Sequence, residues 1–271
     1  MNRFSISGRQ FNYQNVENAI NFWQFYLAKF YGGGHIESFF NSLKGRSPLY
    51  GGRPCTVEYS FSAQHVQALN AKGIGVMLTL SNHYFTAEAY AETIPVLERV
   101  DNPFNSAAIV NDELARRVAQ DFPNIQRKAS VIKQIKTLDD IHRALELYHS
   151  VVLDPMLNDD ANFLQAIDCK DKIVLFANSR CLYKCSNPIC YKYISKQMIT
   201  KGKWDKTVCH HKDGRQAVDG LTVFDLTDPR FAGFTSFKLI PVPDEHLKLD
   251  YRQTMAQPSL IPTRAGSPMI R

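Results

Sequence analysis

The sequence predicts an α/β fold in which a parallel sheet closes into a (β/α) barrel of the TIM type, irregular or incomplete in places. Short apolar runs that end in Asn, Asp or Ser alternate with amphipathic stretches from residue 74 to residue 178. Near-continuous apolar strands indicate a sheet that is covered on both faces. No Gly-rich phosphate loop follows any of these strands, which favours a barrel over an open dinucleotide-binding sheet.

The elements follow one another in a regular order. The predicted strands cover residues 74–80, 106–110, 127–132, 150–153, 172–176 and 234–240. The predicted helices cover residues 86–100, 113–121, 137–148, 158–167 and 243–253, with Thr137 as an N-cap. The first 60 residues must supply the remaining strands, and residues 28–31 and 55–61 are the candidates.

Length and composition are consistent with one globular domain over residues 1–255, followed by a flexible tail over 256–271 that carries three prolines. No apolar run approaches the roughly 18 residues of a membrane span, and the N-terminus has no secretory signal. We therefore expect a cytoplasmic protein with no membrane span, whose cysteines are reduced thiols, metal ligands or reactive groups.

Positive charge is concentrated in one segment. The chain has 32 basic and 26 acidic residues, a net charge of +6, and residues 170–215 hold eleven of the basic and three of the acidic ones. That segment carries +8, so the remainder carries −2. A local basic field favours an anionic partner such as RNA, DNA or a phosphorylated metabolite; the alternative is a solvated, lysine-rich surface.

The cysteines supply the most informative pattern. Four of the six follow the strand at residues 172–176, at Cys181, Cys185, Cys190 and Cys209. Four thiolates on one loop suit an iron–sulfur cluster or a tetrahedral zinc site, in which His210 or His211 could replace a cysteine. The alternative is a chance clustering of buried cysteines. Cys55 and Cys169 are interpreted as small buried apolar residues.

Polar residues at the strand ends form a second candidate site, because barrels of this type carry their active sites at the C-terminal ends of the strands. These residues are Ser81, Asn82, Asn111, Asp112, Asp154, Asn158 and Asn178. Each of them is also a residue type that commonly caps a helix or forms a turn. Asn82, Asp154 and Asn178 are our candidate catalytic residues.

The order of these features resembles the peptidase U32 family of barrel proteins. The resemblance rests on G-V-M-L-T-L-S-N at 75–82, I-V-N-D-E-L at 109–114, I-V-L-F-A-N at 173–178 leading into C-L-Y-K-C at 181–185, and G-F-T-S-F-K-L at 233–239. It covers roughly residues 70 to 255, and the cysteine loop is its strongest part.

The resemblance implies a [4Fe-4S] cluster held by Cys181, Cys185, Cys190 and Cys209. It also implies oxygen-independent hydroxylation of an anionic substrate, such as a nucleic-acid base or an aromatic precursor, and a related barrel protein as a partner. Two other functions stay open. One is a metal-stabilised nucleic-acid or partner-binding protein without catalysis, in which Tyr183, Tyr191, Tyr193 and Trp204 could stack on bases. The other is a peptidase, for which the sequence identifies no nucleophile–base pair.

Overall fold

The chain folds around a closed barrel of eight parallel strands, in a computed structural model that describes residues 1–8, 16–43, 47–51, 60–200 and 221–240. The barrel strands are β1 (Arg3–Ser7), β2 (His35–Asn41), β3 (Gly75–Leu78), β4 (Ser106–Ile109), β5 (Gln126–Ala129), β6 (Ser150–Val152), β7 (Ile173–Phe176) and β10 (Ser236–Leu239). They neighbour one another in chain order, and β10 pairs with β1 to close the barrel. The predicted barrel is therefore confirmed.

Helices connect the strands. They are α1 (Val16–Tyr31), α2 (Ala63–Asn70), α3 (Ala87–Leu97), α4 (Asp112–Asp121), α5 (Leu138–Leu145), α6 (Ala161–Ala166) and α7 (Ile189–Thr200). A small antiparallel sheet pairs β8 (Asn178–Ser179) with β9 (Thr222–Val223). Thr137 caps α5 as predicted, by accepting a hydrogen bond from the Asp140 backbone N–H. The N-cap of α4 is Asn111, whose side chain accepts a hydrogen bond from the Leu114 backbone N–H.

The N-terminal third corrects one prediction. Residues 28–31 do not form a strand but end α1, which buries Ile20, Trp23 and Leu27 along one face at helical spacing. The strands of this region are β1 and β2 instead. Within the predicted strand 55–61, residues 55–59 lie outside the described residues, and Phe61 forms only an isolated bridge with Leu43. The helix at 243–253, the domain boundary at 255 and the tail at 256–271 also lie outside them.

The interior of the barrel is unusually polar. The strand register, advanced one residue per strand as the tilt of the barrel requires, arranges the inward side chains in layers of four. From the N-terminal end these are Ser38, Ser106, Ser150, Ser236; then Ser5, Met77, Lys128, Val174; then Phe40, Ala108, Val152, Lys238; and, at the C-terminal mouth, Ser7, Thr79, Ser130, Phe176. The alternate residues face the helices, as Phe4 does in its ring contact with Tyr31 of α1 at 5.4 Å.

Within the described part of the chain, no helix is both long enough and apolar enough to cross a membrane.

Candidate active site at the C-terminal mouth of the barrel

The candidate catalytic residue Asn82 follows β3 and is fully buried. Its Nδ2 donates to the carbonyls of Pro48 at 2.8 Å and of Ser195 in α7 at 3.0 Å. Its Oδ1 accepts from the Tyr84 backbone N–H at 2.8 Å. Asn82 therefore joins the β3 end to α7 and to the segment that contains Pro48.

Asn178 and Asp154 also lie buried at this end of the barrel. The Asn178 amide bridges β7 to the end of β10, because Oδ1 accepts from the Ile240 N–H at 2.7 Å and Nδ2 donates to its carbonyl at 3.2 Å. The Asp154 carboxylate accepts from the Met156 N–H at 3.0 Å and from Gln134 Nε2 at 3.2 Å. These contacts give all three residues a structural role, and their role in catalysis stays a prediction.

Three of the predicted metal ligands lie on one stretch of chain directly after β7. We call residues 181–200 the cysteine segment: Cys181 begins a short 3-10 helix (Cys181–Lys184), Cys185 ends it, and Cys190 lies in the first turn of α7. Cys185 is buried, Cys181 and Cys190 are half-buried, and all three are reduced thiols. Cys209, His210 and His211 lie outside the described residues.

The distances between the described donor atoms bear on one of the two predicted metal centres, the zinc site. Thiolates bound to one zinc ion at about 2.3 Å lie about 4 Å from one another. Among the described residues, a group of three donor atoms within 4.8 Å of one another occurs only at His142, Asp168 and Cys169, at the opposite end of the barrel. Cys181, Cys185 and Cys190 do not form such a group, and Cys209, His210 and His211 lie outside the residues searched, so both the cluster and the zinc site stay predictions.

The start of the cysteine segment is held by two contacts of Tyr183. One is with the connection between β6 and α6, and the other is with the residues before β10. The Tyr183 hydroxyl donates to Asp159, and its ring packs edge-on against Phe224 at 5.3 Å. The hydrogen bond to Asp159, with burial, raises the pKa of Tyr183. Arg230 reaches the other Asp159 oxygen at 3.3 Å. Tyr183 is thus packed onto the barrel, and its role in stacking on bases stays a prediction.

A His–Ser contact that the sequence analysis missed holds the other end of the segment. His83, just after Asn82, lies with Nδ1 3.0 Å from Ser195 Oγ in α7, and its backbone N–H donates to the same oxygen at 3.2 Å. Burial and the nearby Lys192 lower the pKa of His83. Ser195 is fully buried, so this pair anchors α7 and does not present a nucleophile to a substrate. The two residues are 112 positions apart, and no local pattern connects them.

The basic segment is divided between the two ends of the barrel. Lys170 and Lys172 precede β7, at the N-terminal end, where Lys170 donates to the Ala232 carbonyl. Four basic residues belong to the β7–α7 region at the mouth: Arg180, Lys184, Lys192 and Lys196. Lys184, Lys192 and Lys196 are exposed. Of the basic residues that the structure describes in this segment, the second group lies on the side of the cysteines; the five at 201–215 lie outside the described residues.

Two lysines lie inside the barrel, and neither was singled out in the sequence. Lys128, 7% exposed, forms a 2.8 Å ion pair with Glu37, which also approaches Arg3 at 3.8 Å. Burial opposes ionisation of Glu37, but Lys128, Arg3 and Ser5 outweigh it and lower the pKa of Glu37. Arg3, Glu37 and Lys128 line a cavity of about 220 Å³ at the N-terminal end.

The second interior lysine, Lys238, lies one layer nearer the mouth. It is 7% exposed, and its Nζ lies 4.3 Å from the centre of the Phe40 ring. Burial and the proximity of Lys128 lower its pKa to about 8.

Comparison with known proteins supports the fold. No family model matches the sequence, and no curated protein matches it either. One solved structure, described as the U32 peptidase Mk0906, superposes with a TM-score of 0.57 and 12% identity over 90% of this chain and 94% of that chain. At this identity the likeness concerns architecture alone. The chain therefore has a barrel fold similar to that of a U32 peptidase.

Proposed function

We propose that the protein is an iron–sulfur barrel enzyme whose Cys181, Cys185, Cys190 and Cys209 hold a [4Fe-4S] cluster over the mouth of the barrel. Its proposed reaction is a redox modification, oxygen-independent hydroxylation, of an anionic substrate such as a nucleic-acid base or an aromatic precursor. The observation that carries this proposal is the position of the cysteine segment, which brings three thiols to the end of a barrel where active sites are found.

The surroundings of the segment fit this role. Asn82 and His83 bind Ser195, and Asp159 binds Tyr183, so both ends of the segment are held to the barrel by contacts of the chain itself. A cluster bound there would supply one-electron redox chemistry at the mouth. The exposed amines of Lys184 and Lys192 would attract an anionic substrate to the same side.

Replacing Cys185 tests the cluster. We expect the protein purified without oxygen to contain iron and inorganic sulfide and to absorb visible light, and Cys185→Ser to lose most of both. Cys169→Ser is the matched control, because Cys169 is a reduced, half-buried thiol at the opposite end of the barrel. Full iron and sulfide content in Cys185→Ser, or equal losses in both variants, would contradict the assignment.

A metal-stabilised binding protein without catalysis is the second candidate. The exposed Lys184, Lys192 and Lys196 on the cysteine segment favour it, since they form a basic surface beside the thiols. Zinc without sulfide in the purified protein would support this candidate. So would an affinity for mixed cellular RNA that falls steeply between low and physiological salt and flattens when these three lysines are neutralised together. Neutralising Lys72 and Lys136, outside the segment, should leave the slope unchanged.

A further inference from the structure

We propose that Lys238 is a second reactive centre of the barrel, whose side-chain amine forms a Schiff base with a small aldehyde or ketone that enters through the mouth. The proposal goes beyond the iron–sulfur function and does not depend on it. It rests on where the strand register places this lysine and on what surrounds its nitrogen.

The first observation is that the Lys238 nitrogen has no hydrogen-bond or ion-pair partner in the part of the chain that the structure describes. The side chain shares its layer with Phe40, Ala108 and Val152, none of which offers a hydrogen bond. Its Nζ lies over the Phe40 ring at 4.3 Å, and among the described residues it has no hydrogen-bond acceptor. A buried ammonium without a counter-charge is costly, which favours the neutral amine.

The second observation is the lysine in the next layer. Lys128 lies one layer towards the N-terminal end and forms an ion pair with Glu37, in which Lys128 Nζ donates a hydrogen bond to Glu37 Oε2 at 2.8 Å. Glu37 also approaches Arg3 and accepts a hydrogen bond from the Ser5 hydroxyl. It therefore interacts with residues at the N-terminal end of the barrel and not with Lys238. Apolar surroundings and a neighbouring cation are the two conditions that activate a lysine amine as a nucleophile.

The third observation concerns access. The layer between Lys238 and the mouth consists of Ser7, Thr79, Ser130 and Phe176, of which three carry small hydroxyl side chains. Phe40 and Thr79 are half-buried although they face the barrel interior, so solvent reaches this depth. A small carbonyl compound can therefore approach the amine from the end where barrels bind their substrates, and the hydroxyls can donate to its oxygen.

The reaction balances without a further reactant. The lone pair of the neutral Lys238 amine attacks the carbonyl carbon, and a proton moves from nitrogen to oxygen to give a carbinolamine. Loss of that hydroxyl as water leaves a carbon–nitrogen double bond. The substrate class is thus an aldehyde or ketone small enough to occupy the upper half of the barrel.

Reductive trapping tests the proposal on the full chain. The protein is incubated with glyoxylate and cyanoborohydride, which reduces an imine to a stable carboxymethyl amine, and the modified lysines are mapped by peptide mass spectrometry. At pH 7.5 we expect Lys238 to be modified about tenfold faster than Lys170, because burial lowers the pKa of Lys238 and leaves part of its amine neutral. The rate at Lys238 should rise with pH and level off above pH 8 or so, where its pKa lies.

Lys170 is the matched comparison, since its Nζ also lies over a phenylalanine ring, Phe234 at 5.1 Å, but at the N-terminal rim with a carbonyl acceptor. Lys238→Met should lose the adduct and Lys170→Met should keep it. Mapping of the unsubstituted protein decides the question even where a variant does not fold. Modification of Lys238 no faster than that of Lys170, or none at all, would overturn the proposal. Because trapping needs no metal, an adduct in Cys185→Ser separates this outcome from that of the iron assay.

Discussion

The barrel interior has a lower half at its N-terminal end and an upper half at its C-terminal mouth. The two halves differ in the partners that they offer to buried basic side chains. In the lower half, Lys128 and Arg3 share the Glu37 carboxylate, and Ser5 donates to the same group. In the upper half, Lys238 has a ring for a neighbour and a cation in the next layer. A closed network of this kind stabilises its members, whereas an amine without a partner costs stability and stays reactive. The barrel thus pairs its buried charge at one end and, as we propose, holds a reactive amine at the other.

Removing the carboxylate of the lower half should have the largest effect. Glu37→Gln keeps the size of the side chain but leaves the buried Lys128 without its counter-charge. We expect the free energy of unfolding to fall by about 3 kcal/mol, the low end for a broken buried pair because Glu37 is 27% exposed. Urea unfolding of the two proteins measures this loss of stability.

Glu17→Gln is the control for that variant. Glu17 pairs with Lys72 on the surface, where both side chains are about half exposed. We expect a loss of about 0.5 kcal/mol or less, as is usual for exposed pairs. Equal losses in the two variants would mean that the lower network contributes no more than a surface ion pair.

In the upper half, the burial of Lys238 should make the free energy of unfolding depend on pH. The pKa of Lys238 is about 8 in the folded protein and about 10.4 in the unfolded chain, so the unfolded state holds more protons between these values. The free energy of unfolding should then rise with pH, by about 1.5 kcal/mol from pH 8 to pH 9.5. Lys238→Met should lack this rise. Parallel pH profiles of the two proteins would show that Lys238 titrates normally.

The smallest expected loss of stability concerns the mouth of the barrel. There, hydrogen bonds and not ion pairs hold α7 of the cysteine segment. Ser195→Ala removes the oxygen that contacts His83 Nδ1 and accepts its N–H. We expect a loss of about 1 kcal/mol and faster hydrogen exchange along α7. Thr200→Ala, at the exposed end of the same helix, should leave exchange near His83 unchanged. Unaltered exchange in Ser195→Ala would show that other contacts anchor α7.

The strands that the sequence predicted well are those with continuous apolar runs. In β3 and β7 every residue is buried, so a short run of apolar letters is sufficient to identify them. In β1 the letters R-F-S-I-S alternate, and the polar ones face the barrel interior. This pattern is typical of a half-exposed strand, which is why the N-terminal strands were missed.

The candidate site was predictable where its residues are close in sequence. Cys181, Cys185 and Cys190 lie within ten positions of one another, and the preceding strand places them at one end of any parallel barrel. The same polarity sends Lys170 and Lys172, only a few residues earlier, to the opposite end. A net charge summed along the sequence cannot show which residues lie before a strand, at one end of the barrel, and which lie after it, at the other end.

By itself, the sequence determined the alternation of strands and helices, the helix caps such as Thr137, and the presence of a thiol-rich segment after β7, because each depends on neighbours in the chain. Only the tertiary structure decided which lysine received a counter-charge. Lys128 and Glu37 are 91 positions apart, and Phe40 meets Lys238 only because β10 closes the barrel beside β1. The register of strand pairing sets these contacts, and it is fixed when the whole barrel closes and not by any local pattern.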